Sequence, residues 1–219
     1  MRQMASEQDY IRGIPLVKGG RYLSQRERVG VRGKAVSLGV CGIMRLIHRK
    51  GQRAQMVESQ MSLETRIGDH LVSKHLTLAV AESCTGGLVC HRITNVPGSS
   101  RYLEGGVVAY SYSAKERLLE VDHDTLYEHG AVSEETAREM ADKARRIFGT
   151  DIGVAVTGIA GPSGGLPGKP VGLIYIALSA RGTSRCVRYV WSHDRAGNKA
   201  ASAEATLQLL LDYLEGLCK

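Results

Sequence analysis

The stretch from Ala79 to Leu88 constrains the fold more than any other part of the sequence. Residues 76–81 are apolar and partly β-branched, as in a short buried strand. A turn with Ser83, Thr85 and two glycines follows, and apolar residues at helical spacing come directly after it. Such a strand–turn–helix unit is typical of α/β proteins, and the free N–H groups at the helix start attract negative charge. Ser83 is therefore either a nucleophile beside an anion-binding turn or, like Thr85, only a helix cap.

Strand and helix patterns alternate along the rest of the chain. The predicted order is helix, strand, helix, strand, helix, helix, strand, strand, strand, helix. This alternation predicts an α/β fold, with a mostly parallel sheet covered by helices on both faces. The last two strands meet at a short turn containing Gly182, which predicts an antiparallel hairpin and hence a mixed sheet. The bounded elements are helices at 62–75, 113–120, 133–148 and 195–217, and strands at 76–81, 105–110, 152–157, 171–180 and 184–191.

Two of the predicted helices have clear ends. Ser133 caps the helix at 133–148, and Asp194 caps the last helix. The helix at 133–148 is predicted to bury one stripe of apolar residues. Its members are Ala137, Met140, Ala141, Ala144 and Ile147.

The net charge of +7 resides in the first segment of the chain. Residues 1–60 hold 12 of the 29 basic and 4 of the 22 acidic residues, which gives +8 there and −1 for the remainder. The basic balance therefore does not indicate that the folded part binds nucleic acid. Because glycines would interrupt any helix here, we expect a disordered leader at 1–60 and one domain at 61–219. A signal-like segment, an Arg-rich transit peptide, and a true translation start at Met56 or Met61 are the alternatives.

Cysteine and histidine usage gives no sign of a metal site. The chain has five cysteines, an odd number without a C-x-x-C pair, which indicates neither a disulfide framework nor a zinc site. The seven histidines lack metal-ligand spacing. We expect no metal, no cofactor and a reducing, cytoplasmic setting. No apolar run approaches the ~18 residues of a membrane span, so no membrane association is expected.

Three loops follow strands that are predicted to be parallel: 82–87, 110–115 and 157–169. Because ligands bind at the carboxyl ends of strands in open α/β sheets, these loops converge on one site if the strands are neighbours. The third loop is rich in glycine, so its backbone could approach a ligand closely, yet it lacks a P-loop or dinucleotide motif. An ordinary connection to the hairpin is the alternative for this loop.

The second loop carries two residues that could activate Ser83. A lysine such as Lys115 acts as a general base when burial lowers its pKa toward neutrality, and a tyrosine such as Tyr110 can relay or donate the proton. Together the three side chains would form a hydrolase site without histidine or metal. A packing role for Tyr110 and an exposed helix cation at Lys115 are the alternatives.

Basic residues open the last predicted helix. Arg195 and Lys199 follow the cap, although cations at a helix start oppose the helix dipole. Another purpose is therefore expected for them. Either they bind a phosphate or carboxylate, or they form a salt bridge between subunits.

Four stretches occurring in order resemble the CinA C-terminal domain family, the nicotinamide-nucleotide amidohydrolases. They are AESCTGG at 81–87, YSYSAK at 110–115, GAVSE at 130–134 and VTGIAGP at 156–162. The likeness runs from about residue 62 to 217. It leaves out residues 1–60, and the molybdopterin-binding-like domain that precedes this one in CinA is absent, so the chain resembles the stand-alone form.

The resemblance implies hydrolysis of nicotinamide mononucleotide to nicotinic acid mononucleotide and ammonia, in the salvage of pyridine nucleotides (NAD). It also implies a three-layer α/β/α sandwich with a mixed, mostly parallel five-stranded sheet, and a homodimer or larger homo-oligomer. The family's catalytic serine, lysine and tyrosine correspond to Ser83, Lys115 and Tyr110. The expected substrate-binding residues are Thr85, Gly86 and Gly87 around the oxyanion, and Thr157, Gly158, Gly161 and Arg195 around the nucleotide.

Two positions depart from the family pattern. Lys199 replaces an arginine, which removes a bidentate donor for phosphate, and Tyr112 stands where asparagine is common. The alternative function is a non-catalytic binding or regulatory module of the competence- or damage-inducible type. Loss of the serine, lysine or tyrosine would have favoured that alternative, but all three are present. Nucleic-acid binding through the basic leader would rest on charge alone.

Overall fold

The computed structural model describes residues 61–217, and the predicted leader at 1–60 lies outside them. The helices are α1 (Leu63–Ser73), α2 (Leu88–Thr94), α3 (Tyr112–Leu119), α4 (Glu134–Ile147) and α5 (Arg195–Leu214). The strands are β1 (Leu78–Glu82), β2 (Leu103–Val108), β3 (Ile152–Gly158), β4 (Leu173–Ala180) and β5 (Thr183–Val190). A 3₁₀ turn at Ser99–Arg101 and a π-helical turn at Thr125–His129 were not predicted.

The five strands of the described region form one mixed sheet in the order β2-β1-β3-β4-β5. Strand β1 pairs in parallel with both β2 and β3, whereas β4 is antiparallel to β3 and to β5. The carboxyl ends of β2, β1 and β3 therefore lie side by side at one edge of the sheet. The predicted α/β fold and the convergence of the three loops are confirmed.

The two faces of the sheet bury residues of different size. Val80 and Val154 lie on the face covered by α1, α2 and α5, where the core is built of large aliphatic side chains. Ala81 and Ala155 lie on the opposite face, which packs against α3 and α4. A Cβ on Gly153 would lie 2.1 Å from a backbone oxygen of α4, so small residues are what allow this helix to lie so close to the sheet.

Helix α4 begins as predicted but ends its buried stripe differently. Ser133 caps it by accepting a hydrogen bond from Thr136 N at 3.2 Å. Four members of the predicted stripe are buried, but Ile147 is 44% exposed, so that prediction was wrong. Phe148 takes its place in the core, because its ring fills the space left open by Gly105 in β2.

Several predicted boundaries were wrong by one to three residues. Strand β2 starts and ends two residues earlier than expected, which places Tyr110 in the loop beyond it. His75 has a positive φ of 53° that ends the first helical segment, so β1 begins only at Leu78. Helix α5 ends at Leu214 rather than at 217. No helix within residues 61–217 is long and apolar enough to cross a membrane.

Candidate active site

The buried centre of the site is a contact between Ser83 and Lys115. Ser83 directly follows β1, and Lys115 lies in the first turn of α3, which Ser111 caps. The Nζ atom of Lys115 lies 3.0 Å from the Oγ atom of Ser83. The two side chains are only 1% (Lys115) and 7% (Ser83) exposed. Neighbouring parallel strands thus bring a possible nucleophile and a possible base into direct contact.

The surroundings of Lys115 make its neutral form more accessible than it is for a lysine in water. Burial lowers the pKa of Lys115 from 10.5 to about 8, and a weaker charge interaction with Cys84 opposes this shift. Among the ion pairs of the described residues, none includes Lys115. The Nζ atom lies 2.8 Å from the Ala109 carbonyl and 3.5 Å from the Tyr110 carbonyl. A neutral amine can donate to both carbonyls and direct its lone pair at Ser83. Because Lys115 is buried, the alternative of an exposed helix cation is wrong.

Cys84 stands beside Ser83 but is not suited to act as the nucleophile. Its side chain is buried, and burial raises the pKa of the thiol to about 12. At neutral pH the thiolate is therefore essentially absent. Of the two neighbouring residues, Ser83 is the one that contacts a base.

Glu82 is a buried residue of the site that the sequence reasoning missed. It is fully buried, and its carboxylate accepts hydrogen bonds from Gly87 N and Cys90 N at 2.9 Å each and from Val89 N at 3.2 Å. Three of the N–H groups at the start of α2, those of Gly87, Val89 and Cys90, are therefore occupied from within the protein. The sequence signal is an acidic residue at the end of a buried strand, followed by a helix whose glycine cap has no side chain.

Two of the N–H groups expected to hold the oxyanion, those of Gly86 and Gly87, therefore have acceptors inside the protein. Gly87 N donates to Glu82, and Gly86 N donates to the Ser83 carbonyl at 3.2 Å. Within residues 61–217, the N–H groups of Cys84 and Thr85 have no backbone or carboxylate acceptor. The Thr85 hydroxyl is also buried without a partner in this part of the chain. Leu88 N likewise has no such acceptor within the described residues, so three N–H donors remain around the turn, those of Cys84, Thr85 and Leu88.

Tyr110 lies at the open end of the site. Its side chain is 59% exposed, which excludes the alternative of a packing role. Its hydroxyl accepts a hydrogen bond from Arg195 Nη2 at 2.9 Å, and Arg195 Nη1 donates to the Gly161 carbonyl at 2.6 Å. The structure therefore brings Tyr110, Arg195 and Gly161 together, and the Tyr110 carbonyl lies 3.5 Å from Lys115 Nζ.

Thr157 and Gly158, both expected to bind substrate, have partners inside the protein. The Thr157 hydroxyl donates to the Ala131 carbonyl at 2.6 Å, and Thr157 is buried. A Cβ on Gly158 would lie 2.3 Å from the Ile174 side chain, so a larger residue would not fit there. These residues hold β3 against the start of α4 and against β4.

Tyr112 has a clear structural role at its position. Its hydroxyl accepts a hydrogen bond from Ala131 N at 3.1 Å, and this contact ties α3 to the GAVSE segment at 130–134. Ala131 is thus bound through both of its backbone polar groups, by Tyr112 and by Thr157. The segment that precedes α4 is held beside the site in this way.

A cavity of about 890 Å³ opens beside the turn that carries Ser83. A Cβ on Gly86 would lie 3.7 Å from Lys199 Nζ, so this ammonium group reaches from α5 to the turn. Neither Ser83 nor Lys115 lines the cavity, but Arg195 in its wall contacts the Tyr110 hydroxyl. Apolar and basic groups share the wall, which suits a ligand with a ring and an anionic group. The lining residues are Leu88, Ala160, Pro162, Val171, His193, Asp194, Arg195, Ala196 and Lys199.

The start of α5 carries both a capping residue and two basic side chains. Asp194 accepts a hydrogen bond from Gly197 N at 2.7 Å and caps the helix as predicted. Neither Arg195 nor Lys199 is paired with a carboxylate of the described region. Across residues 61–217, no group of three or more His, Cys, Asp or Glu side chains is arranged to hold a metal ion.

Comparison with known proteins places the match over this same region. The model of the CinA C-terminal domain family matches residues 60–214. A "Putative competence-damage inducible protein" of Moorella thermoacetica is 48% identical over 158 residues, which are 72% of this chain and 38% of the relative. A "CinA-like protein" of Salinibacter ruber is 47% identical over 148 residues, which are 68% of this chain and 36% of the relative. The chain therefore spans well under half the length of these curated relatives.

Solved structures share the fold. The competence damage-inducible protein A of Klebsiella pneumoniae superposes with a TM-score of 0.68 at 33% identity, over 70% of this chain and 95% of that one. The competence/damage inducible protein CihA of Agrobacterium tumefaciens gives 0.68 at 37% identity, over 70% and 93% of the two chains. Both comparisons cover nearly the whole of the solved chains.

Proposed function

The chain belongs to the CinA C-terminal domain family, and on this premise we propose that Ser83 and Lys115 hydrolyse the carboxamide of nicotinamide mononucleotide. The products are nicotinic acid mononucleotide and ammonia. The observation that carries the proposal is the buried 3.0 Å contact between Lys115 Nζ and Ser83 Oγ. A buried lysine without a carboxylate partner costs stability, and such residues concentrate where their chemistry is used.

The first step is acyl transfer to Ser83. With a pKa of about 8, about a tenth of the Lys115 side chains are neutral at pH 7. Neutral Lys115 takes the Ser83 proton while Oγ forms a bond to the carboxamide carbon. The N–H groups of Cys84 and Thr85 then hold the oxyanion, and one such donor is typically worth roughly 3 kcal/mol.

The second step releases ammonia. The C–N bond breaks as the nitrogen receives a proton from the Lys115 ammonium, and Tyr110 assists this transfer. Because the Tyr110 hydroxyl accepts from Arg195, its own hydrogen is free to point toward the leaving nitrogen. A water molecule then attacks the ester and gives a proton to Lys115. As the bond between the acyl carbon and Oγ breaks, Lys115 passes this proton to Ser83, which is regenerated with release of the carboxylic acid.

Substrate recognition is assigned to the cavity. The two terminal nitrogens of Arg195 already bind Tyr110 and Gly161, so Arg195 acts mainly as a brace between the tyrosine and the 159–170 loop. Lys199 is not engaged in this way, and we assign the nucleotide phosphate chiefly to it. The buried Thr85 hydroxyl, unpartnered within residues 61–217, is available to the substrate amide.

A non-catalytic regulatory module is the second candidate. The names of the curated relatives favour it, because they state competence or damage induction and no enzyme. In such a module a buried Lys115 would lower stability without any return in catalysis. Turnover is therefore the property that separates the two candidates.

The test is ammonia release from nicotinamide mononucleotide by the full chain, with and without a chelator. We expect release that is abolished in Ser83→Ala and unaffected by the chelator. Ser62→Ala is the matched control, because it removes a serine that caps α1. Normal turnover by Ser83→Ala would refute the nucleophile, and no release by the wild type would favour the regulatory module.

A further inference from the structure

Glu82 directly precedes the nucleophile, yet the mechanism above does not use it. Its side chain is fully buried, and no ion pair within the described residues includes it. A buried carboxylate without a cation is costly unless hydrogen bonds compensate the charge. Three backbone N–H groups provide that compensation, those of Gly87, Val89 and Cys90. Because both carboxyl oxygens are engaged by these three donors, the contact fixes the side chain firmly.

The carboxylate joins two elements across the turn that carries Ser83. Glu82 is the last residue of β1, whereas its partners lie at the start of α2. Gly87, the cap residue of α2, has a φ of 96° and no side chain, so it cannot cap the helix itself. Glu82 therefore does from the strand what a Ser or Asp cap would do from the helix.

The strand side of the turn is fixed independently of this carboxylate. Ser83 N donates to the Val156 carbonyl of β3 at 3.0 Å, and Ala109 N donates to the Glu82 carbonyl at 2.8 Å. On the helix side, Gly86 N closes the turn onto the Ser83 carbonyl at 3.2 Å. The Glu82 side chain is thus the link that draws the far end of the turn back to the strand.

We propose that Glu82 is a positioning residue for Ser83. By holding the start of α2 against β1, its carboxylate keeps Ser83 Oγ beside Lys115 Nζ. It also occupies the N–H groups of Gly87, Val89 and Cys90, and the donors that remain next to Ser83 are those of Cys84 and Thr85. The inference rests on the proposed function, because it takes Ser83 as the nucleophile.

Glu82→Gln is the informative change, with the full chain as the protein. It keeps the volume of the side chain but replaces one acceptor oxygen by an NH₂ group that faces N–H donors. We expect kcat for nicotinamide mononucleotide to fall about 10- to 100-fold, since small misplacements of a reacting group cost about this much. We expect KM to change less than kcat, because Leu88 is the only residue of α2 that lines the recognition cavity.

Leu207→Ala is the matched control for stability. Leu207 is fully buried on α5, and its loss creates a cavity in the core without changing a residue of the turn. If Glu82 only stabilised the fold, Leu207→Ala with an equal or larger loss in Tm would lose as much kcat as Glu82→Gln. If Glu82→Gln fails to fold, Glu82→Asp replaces it, and there too kcat is expected to fall about tenfold, with a smaller change in KM.

A second readout does not depend on the natural substrate. An alkyl fluorophosphonate reacts with an activated serine: the Oγ–P bond forms, the P–F bond breaks, fluoride leaves, and the serine proton passes to Lys115. We expect the mass increase on the Ser83 peptide in the wild type and none in Ser83→Ala. Labelling of Glu82→Gln should be at least about tenfold slower.

The outcomes separate the two proposals. Labelling of wild-type Ser83 without turnover of the nucleotide would contradict the proposed substrate and leave the labelling rate to decide the role of Glu82. Glu82→Gln that labels and turns over within twofold of the wild type would overturn the positioning role. Wild-type protein that neither labels nor turns over would remove both proposals.

Discussion

The two ends of the site are built on opposite principles. At the closed end, Ser83 and Lys115 are almost completely buried, and Lys115 has backbone carbonyls rather than carboxylates as neighbours. At the open end, Tyr110 is 59% exposed and contacts Arg195 beside a wide cavity. The comparison shows that burial makes Lys115 suitable as a base, whereas solvent-accessible charge is available to bind an anionic ligand.

Burial has a cost at the closed end that the open end does not bear. The pKa of Lys115 is lowered because the charged form loses its hydration and gains no ion-pair partner. Such a loss of folding stability is expected where function requires it. Changes at the closed end should therefore affect activity and stability in opposite directions, while changes at the open end should leave stability intact.

The largest expected effect is that of Lys115→Met. We expect kcat to fall about 10³-fold because the base is lost. The pKa change from 10.5 to about 8 corresponds to about 3 kcal/mol, so the variant should gain up to about 3 kcal/mol in unfolding free energy at pH 7. Urea unfolding measures the gain. Lys115→Arg, which keeps the charge, should be inactive and less stable than the wild type, whereas a destabilised Lys115→Met would contradict the account.

The pH dependence is the next largest effect. Because neutral Lys115 is the base, kcat/KM should rise with pH to a plateau with a midpoint near 8, a change of about 100-fold between pH 6 and 9. The folded pKa lies below the unfolded value, so the unfolded chain binds more protons between about pH 8 and 10.5, and this group adds stability as pH rises through that window. The stability advantage of Lys115→Met should therefore shrink there. A flat activity profile would contradict this.

A smaller effect is expected from Tyr110→Phe. The change removes the hydroxyl that Arg195 orients, so kcat should fall about tenfold, while KM stays within about twofold. Because the side chain is mostly exposed, unfolding free energy should stay within about 0.5 kcal/mol. Steady-state kinetics and urea unfolding check both parts. An unchanged kcat would exclude Tyr110 from the proton transfer.

The smallest effect in this series is that of Lys199→Met. Losing one cation opposite a phosphate should raise KM about fivefold without changing kcat, and the increase should diminish at high salt. Lys143→Met, two and a half turns into α4, is the control for the loss of a lysine. If the control and Lys199→Met give the same KM, the phosphate lies elsewhere. A lower kcat in Lys199→Met would indicate that this residue takes part in the chemical step rather than in binding the phosphate.

The pairing of Ser83 with Lys115 at the closed end could be predicted from the sequence, because the topology of the sheet alone brings the two residues together. Ser83 and Lys115 follow neighbouring parallel strands, and the carboxyl ends of such strands meet whatever the side chains are. Glu82 was missed because apolar periodicity counts it as the residue after the strand, although it is buried as deeply as the strand itself. Its role depends on an N–H cluster that only the assembled turn presents.

The open end depends on distances that a sequence does not encode. Tyr110 and Arg195 are 85 residues apart, and their contact depends on where α5 begins relative to the sheet. The same limit explains Ile147, which is exposed while Phe148, the next residue, packs partly buried against the core. Patterns therefore predict which elements form and which loops meet, but not how side chains share the space between them.

The most direct test of the account is the titration of the Lys115 amine itself, followed by NMR in the full chain with labelled lysine. Lys115→Met assigns the signal by its absence. The account predicts one lysine signal that titrates near pH 8, with the same midpoint as kcat/KM. A Lys115 signal that titrates near 10.5, at the ordinary value for lysine, would contradict the claim that burial makes Lys115 the base for Ser83.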